Sequence, residues 1–433
     1  MIVKKLIEKI EGDAELDLHF TDGVVDDARI RFGLYRGIEE ILVGKAPRDA
    51  LVITPRVCGI CNHAHLIAAV EALGSSLRSS GLSVAPSPKA EAIRTFTLFC
   101  ELIQNHLKWL YLTILPQLEA MQYDISRADA NAYALKAAHG AQLATKALAI
   151  FGGQWPHSAY AVPGGVTCDP TYREVLKAEG MVEELIAFYE KEVIGMPLES
   201  FLTLSSISQW DKIGGDLSKV LHIMEDRGIN NMGRSHDRFI AFGKNGFFCS
   251  GKSIITKVYE VDPKFVRESL QDQTMAKAVS YKGKQFETGP LARAMVRKEP
   301  LIKSMHRQYK DAASTRIFAR VHEVAPLLME AKSLLSSLNL SEPSCTFQIP
   351  KKIPDGDGAG IVEAARGSLI HTLSIRRGVI ADYQIIVPTQ WNLSLGTPQE
   401  KGVAVSGMIG CSSYEEASLV FRSFDVCSVC TTQ

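Results

Sequence analysis

Two C-x-x-C pairs stand near opposite ends of this 433-residue chain, Cys58 with Cys61 in RVCGICNHAH and Cys427 with Cys430 in DVCSVCTTQ. A C-x-x-C turn lets both sulfurs face one point, and two such turns together build a four-thiolate site whose soft ligands suit zinc, nickel, copper(I) or iron–sulfur clusters. If the pairs share one site, the fold must bring residue 58 to residue 427, so everything between has to wrap around that meeting point. A structural zinc site and two unrelated redox dithiols are the alternatives. Structural zinc knots close short loops, whereas this one would span the whole body, where a core already supplies stability.

The chain has that core: 46% of its residues are hydrophobic and 22% charged, a composition of folded globular proteins. Forty-eight basic residues balance forty-eight acidic ones, so no net field draws it to nucleic acid or an anionic membrane. Nine cysteines is an odd count. The opening MIVKKLIEKIEGD carries Lys4, Lys5, Glu8 and Lys9 where a secretory signal needs apolar residues, and this favours metal or redox chemistry over disulfides. No run reaches the eighteen apolar residues of a membrane span. The expected compartment is the cytoplasm, with membrane association only through partners. Cys100, Cys168, Cys249, Cys345 and Cys411 stand far apart and read mostly as small buried hydrophobes.

The expected fold class is α+β and predominantly α, with a long-helix bundle core in a single domain, 1–433. Residues Glu15 to Arg31 alternate apolar with polar around Asp22-Gly23, predicting a β-hairpin within an N-terminal β region, 1–35. Helical periodicity runs from Pro88 to about Met121, from about Ser126 to Leu148, after Thr171, and from Ser314 to Leu338. Gly-rich, β-branched segments between 237 and 290 predict a small inserted sheet.

The cysteine motifs also carry a family resemblance. RVCGICNHAH resembles the R-x-C-G-x-C-x-x-x-H motif of nickel-iron hydrogenase large subunits, and DVCSVC resembles their C-terminal D-P-C-x-x-C. YRGIEEILVGKAPRDA, FGGQWPHS, VPGGV, EAARG and VPTQWN extend the resemblance along nearly the whole chain. It implies Cys58 and Cys427 as terminal ligands of nickel, with Cys61 and Cys430 bridging to an iron that carries CO and cyanide. Dihydrogen is a very weak acid, so splitting it needs a Lewis-acidic metal and a nearby base. Cys430 is the first candidate base.

By the same resemblance Arg366 overhangs the open metal position with its fixed charge, Thr389 donates to a cyanide, and Glu11 passes protons outward. His65 hydrogen-bonds a bridging sulfur, with Arg56 and Asp425 completing the surroundings. Glu39 and Gln433 would hold a magnesium ion. His63, off the motif, reads as a solvated or capping residue. Because five scattered cysteines cannot build an electron relay, the electrons are expected to leave through an iron–sulfur small subunit, and maturation proteins are expected to load the metals.

Several positions depart from the family pattern. Asp13 stands for the usual histidine after Glu11-Gly12, Val426 and Ala365 each replace a proline, and Gln433 replaces a C-terminal histidine. An aspartate expected near the active site is not assignable, since the helix around Asn105-His106 reads as ending at Leu115-Pro116-Gln117. Three functions stay open: a dihydrogen-cleaving enzyme, a dihydrogen sensor of low turnover, and a structural zinc protein or complex I relative on the same scaffold.

Overall fold

The computed structural model describes residues 1–7, 12–122, 127–243, 247–254, 257–272 and 274–431. Three antiparallel strands open the chain: β1 (Ile2–Ile7), β2 (Ala14–Thr21) and β3 (Val24–Arg31), in the order β1-β2-β3. The hairpin turns where expected, because Asp22 and Gly23 take φ of 52° and 83°, the left-handed pair that matches strand twist. β1 joins as a third strand that the alternation did not announce.

Helices dominate the middle: α1 (Asn62–Ser79), α2 (Pro88–Trp109), α3 (Arg127–Gly152) and α4 (Tyr172–Phe188). Ser87 caps α2 by accepting the Ala90 N–H at 3.1 Å, with Pro88 in the first turn, where its missing N–H costs nothing. Beyond Trp109 the helical run continues past Leu115-Pro116 to Gln122, close to the end expected near Met121. A π-turn over Leu110–Ile114 widens the register and leads into a further helix, Leu115–Gln122. The wider turn absorbs the bond that Pro116 cannot donate.

The inserted region holds β4 (Arg238–Phe242), β5 (Ser250–Ile254) and β6 (Lys257–Tyr259) in one sheet, and β7 (Val266–Ser269) with β8 (Ala278–Tyr281) in another. The long helix α5 (Ala313–Ser336) follows. With 50% of residues helical and 20% in small separate sheets, the chain is α+β and predominantly α, as expected.

One sheet was not anticipated. β9 (Gly356–Ala364), β10 (Gly367–Arg376) and β11 (Val379–Ile386) pair antiparallel and pack on α1. Gly356, Gly358 and Gly360 make this contact possible. A Cβ on Gly358 or Gly360 would fall 2.1 or 2.0 Å from the Ala72 or Ala68 carbonyl oxygen, so only glycine lets strand and helix backbones approach this closely. The packing carries Arg366, in the β9–β10 turn, toward the start of α1. After β11 the chain enters α6 (Pro388–Leu393), and it closes with α7 (Ser428–Thr431).

Of the five other cysteines, Cys100 and Cys411 are buried, Cys168 is half-buried, and Cys249 and Cys345 are exposed. The small-hydrophobe reading holds for the first two and fails for the last two, which lie outside the core.

Candidate metal centre

The first cysteine pair sits at the N-terminus of α1, whose opening amides have no partners within the helix. Glu101 of α2 supplies them: its carboxylate accepts the N–H of His63 at 2.7 Å and of Ala64 at 2.9 Å. Gln104 donates to the Ile60 carbonyl, and Asn62 donates to Gly59 while accepting the His157 N–H. The turn is thereby held from both sides.

The second pair enters through Asp425, a non-glycine residue at φ 58°, and continues into α7. The Arg36 guanidinium donates to the carbonyls of Val57 and Val429, tying the two cysteine segments together. On the other side, the Ser428 hydroxyl donates to the Asp13 carbonyl.

The four sulfurs meet. All lie within 4.8 Å of one another, with Cys58 to Cys427 at 3.6 Å, Cys61 to Cys430 at 3.4 Å and Cys427 to Cys430 at 2.8 Å. Metal–sulfur bonds of about 2.3 Å place two sulfurs on one ion at most about 4.6 Å apart, so this spacing suits shared metal ligation. No disulfide forms among them. Hydrogen bonds, chiefly from Cys427, hold the Cys58 thiol well below its ordinary range. The contact with Cys427 pushes Cys61 up, and burial pushes Cys430 up. Holding all four as thiolates in so small a volume requires cations, which a metal pair would provide.

Beside Cys61 and Cys430 lies a small cavity lined also by His65, Arg366 and Thr389. Arg366 donates through Nε to the Asp425 carbonyl at 2.9 Å, and the Asp425 carboxylate in turn accepts from Arg320 at 2.9 Å. Burial opposes the Arg366 charge, but Asp425 and the cysteine sulfurs outweigh it and raise its pKa well above normal. Its Nη1 and the Thr389 hydroxyl are buried without a hydrogen-bond partner among the described residues. On the far side of Arg366 a cavity of about 470 Å³ opens toward solvent, lined by Asn105, Trp109, Asp425 and Val426 among others.

Of the expected site residues, the structure gathers Cys58, Cys61, Cys427, Cys430, Arg366, Thr389, His65 and Asp425 in one place. Arg56 is not brought to the sulfurs. It is exposed and donates to the Val52 carbonyl one turn back, and Arg36 holds the position between the cysteine segments instead. His63 is not solvated: it is 1% exposed, stacked on Tyr160, and held neutral by burial with a pKa of about 3. Glu39 is buried away from the sulfurs, accepting the Ile385 N–H and the Lys277 ammonium, both at 2.7 Å. Glu11 and Gln433 lie outside the described residues. Glu101 was missed; its signal is a lone acid in the apolar face of TFTLFCELIQ.

A buried cluster of four cysteines drawn from both ends of a helical body, with an arginine beside it, is a site able to hold metal. The model of the family described as nickel-dependent hydrogenase matches residues 36–139 and 271–433. The chain is 26% identical to a periplasmic NiFeSe hydrogenase large subunit of Desulfomicrobium baculatum, over 89% of this chain and 84% of that protein. It is 24% identical to the sulfhydrogenase 1 alpha subunit of Pyrococcus furiosus, over 98% and 96%. Its fold is that of the Ni-Fe-Se hydrogenase of D. vulgaris Hildenborough in the reduced state, with a TM-score of 0.85 at 21% identity, covering 100% of both chains. The chain belongs to the nickel-dependent hydrogenase family. It takes the place of the large, catalytic subunit, an oxidoreductase acting on dihydrogen.

Proposed function

We propose that the chain cleaves dihydrogen heterolytically at a nickel–iron centre and passes the electrons to an iron–sulfur small subunit. The observation that carries this is the convergence of four buried sulfurs within 4.8 Å beside Arg366 Nη1 and the Thr389 hydroxyl, two buried polar atoms with no partner among the described residues. Unpaired buried donors are costly, and metal-bound cyanides reaching into this cavity would satisfy both. Cys58 and Cys427 would hold nickel, and Cys61 and Cys430 would bridge it to an iron bearing CO and cyanide. When bound, the metals supply the Lewis acid and accept the two electrons.

The chain's own part is proton handling and charge. Cys430 Sγ is the proposed proton acceptor, and Glu11 the carrier outward. Supporting this, its neighbour Gly12 lies so close to the last turn that a Cβ there would stand 2.9 Å from Val429 Cγ1. Asp13, in place of the usual histidine, lines an open cavity of about 440 Å³ with Glu15 and Arg31, a suitable outlet. Arg366 holds a permanent positive charge over the reacting position, where charge develops on splitting.

Electrons need a partner, since the four sulfurs form the single metal-competent cluster among the described residues. Gly59, next to Cys58, is exposed and Ile60, next to Cys61, is half-buried, so this turn reaches the surface. Leu34 and Tyr35, just before Arg36, are 53% and 51% exposed. An apolar face beside this turn supports docking of the small subunit there. The sulfurs are no more than 6% exposed, so we include maturation proteins that load the metals before the C-terminal segment closes over them.

A magnesium ion beside Glu39 belongs to the same proposal. Each Glu39 carboxylate oxygen keeps a lone pair for a hard cation, while Lys277 already balances its charge. Nine cysteines without a disulfide among them support a reducing compartment, the cytoplasm. Among the described residues no helix is long and apolar enough to cross a membrane. Relatives named as hydrogenases leave the sensor reading without support. Infrared spectroscopy of the purified complex tests the proposal: CO and cyanide stretching bands are expected, and metal analysis finding zinc without nickel would overturn it.

A further inference from the structure

From the cavity at Cys61 and Cys430, a chain of buried hydrogen bonds runs away from the sulfurs through three side chains. His65 Nδ1 lies 3.0 Å from His371 Nε2, and His371 Nδ1 lies 2.8 Å from the Tyr383 hydroxyl. None of the three is more than 2% exposed. His65 sits on α1, His371 on β10 and Tyr383 on β11, so the chain crosses the contact that the β9 glycines make possible.

Counting protons fixes the direction of each bond. A buried phenol must donate, and among the described residues the only partner of the Tyr383 hydroxyl is His371 Nδ1, which therefore accepts. Burial holds His371 neutral, so its single ring proton is on Nε2 and is donated to His65 Nδ1. His65 Nδ1 is therefore an acceptor, and the ring carries its own proton on Nε2. With Nδ1 engaged by His371, Nε2–H is the group left for the cavity that His65 lines with Cys61 and Cys430. The opposite arrangement would strand the buried Tyr383 O–H without an acceptor and would turn a lone pair toward anionic sulfur.

We propose that Tyr383 and His371 are positioning residues that set the tautomer of His65, so that its Nε2–H is presented to the sulfurs of Cys61 and Cys430. The proposal rests on the nickel–iron reading above. A donated N–H withdraws electron density from a metal-bound thiolate, so the relay tunes the metals from two residues away. Sequence reading could find His65 but not the two residues that decide which way its proton points.

The test is infrared spectroscopy and redox titration of the holoenzyme. Tyr383→Phe removes one hydroxyl and leaves the ring. It is expected to keep full nickel and iron content while the CO band moves to lower wavenumber and the midpoint potential becomes more negative, because an unrestrained sulfur donates more strongly. His371→Leu should do the same. His371→Gln should return both readouts toward wild type, since its amide oxygen can accept from Tyr383 and its N–H can donate to His65. Wild-type bands and potential in fully loaded Tyr383→Phe and His371→Leu proteins would overturn the relay. Absence of CO and cyanide bands from the wild type would overturn the nickel–iron reading and the relay with it.

Discussion

Two buried polar regions lie side by side in this protein and are satisfied in opposite ways. Between α5 and β9, Arg293 donates to Glu323 at 2.7 and 2.6 Å, to Glu363 at 3.0 Å and to the Ala364 carbonyl at 2.9 Å, and His106 meets Glu323 at 3.0 Å. Burial opposes the Glu323 charge, but Arg293 outweighs it and holds the carboxyl well below its usual range. Around the sulfurs, by contrast, Arg366 Nη1 and the Thr389 hydroxyl have no partner among the described residues. An unpaired buried group calls for an explanation, and two of them beside four converging sulfurs mark a place built for a ligand, whereas the first region is closed scaffold.

Removing a sulfur should separate the two regions most sharply. Cys427→Ser is expected to abolish nickel and iron binding and dihydrogen oxidation, while thermal unfolding of the protein stays cooperative because the Arg293 layer is untouched. Metal analysis beside a melting curve checks it, and a metal-free variant that also fails to fold would erase the distinction. Next in size, Arg366→Lys keeps a charge but loses the fork that Asp425 orients. A fall in turnover of about 100-fold is expected, with the CO band nearly unmoved because every metal ligand remains, and with a shift confined to the cyanide that loses its Nη1 donor.

How much of this was legible beforehand follows the same division. The four cysteines are set by short spacings that survive any arrangement of the rest, and Asp22-Gly23 dictates its turn through backbone sterics alone. Long helices announce themselves by period. The β9–β11 sheet did not, because Gly356, Gly358 and Gly360 carry no side chain to show a period, and their meaning lies in the carbonyls of Ala68 and Ala72. His371 and Tyr383 sit on strands as polar residues that a reader assigns to a solvent face. Arg56 and Arg36 offer the same chemistry, and only the path of the chain decides which one reaches Val57 and Val429.

In the scaffold layer, Glu323→Gln leaves Arg293 with one full partner instead of two. Breaking a buried pair costs about 3–5 kcal/mol, so the melting temperature should drop substantially while the infrared bands of loaded protein hold still. A band shift comparable to that of a sulfur variant would show that the layer tunes the metals and would collapse the contrast. Glu101 gives a milder test of the same border. Burial raises its pKa from 4.5 to about 8, so between those values the folded protein holds a proton that the unfolded chain has released. Stability therefore falls as pH rises through that window. Glu101→Gln, which cannot ionise, should flatten the slope, read as melting temperature from pH 5 to pH 8.

The smallest effect belongs to Thr389, and it probes the ligand side alone. Thr389→Val keeps the shape and removes one hydroxyl that has no partner among the described residues. If that hydroxyl were merely an unpaired buried group, its loss would stabilise the fold and leave every spectroscopic band in place. If it donates to a cyanide, the variant forfeits about 0.5–1.5 kcal/mol of hydrogen bonding, a cyanide band shifts while the CO band barely moves, and turnover falls by less than about tenfold. The cyanide band distinguishes these outcomes even when activity does not, because it reads the one bond that the substitution removes.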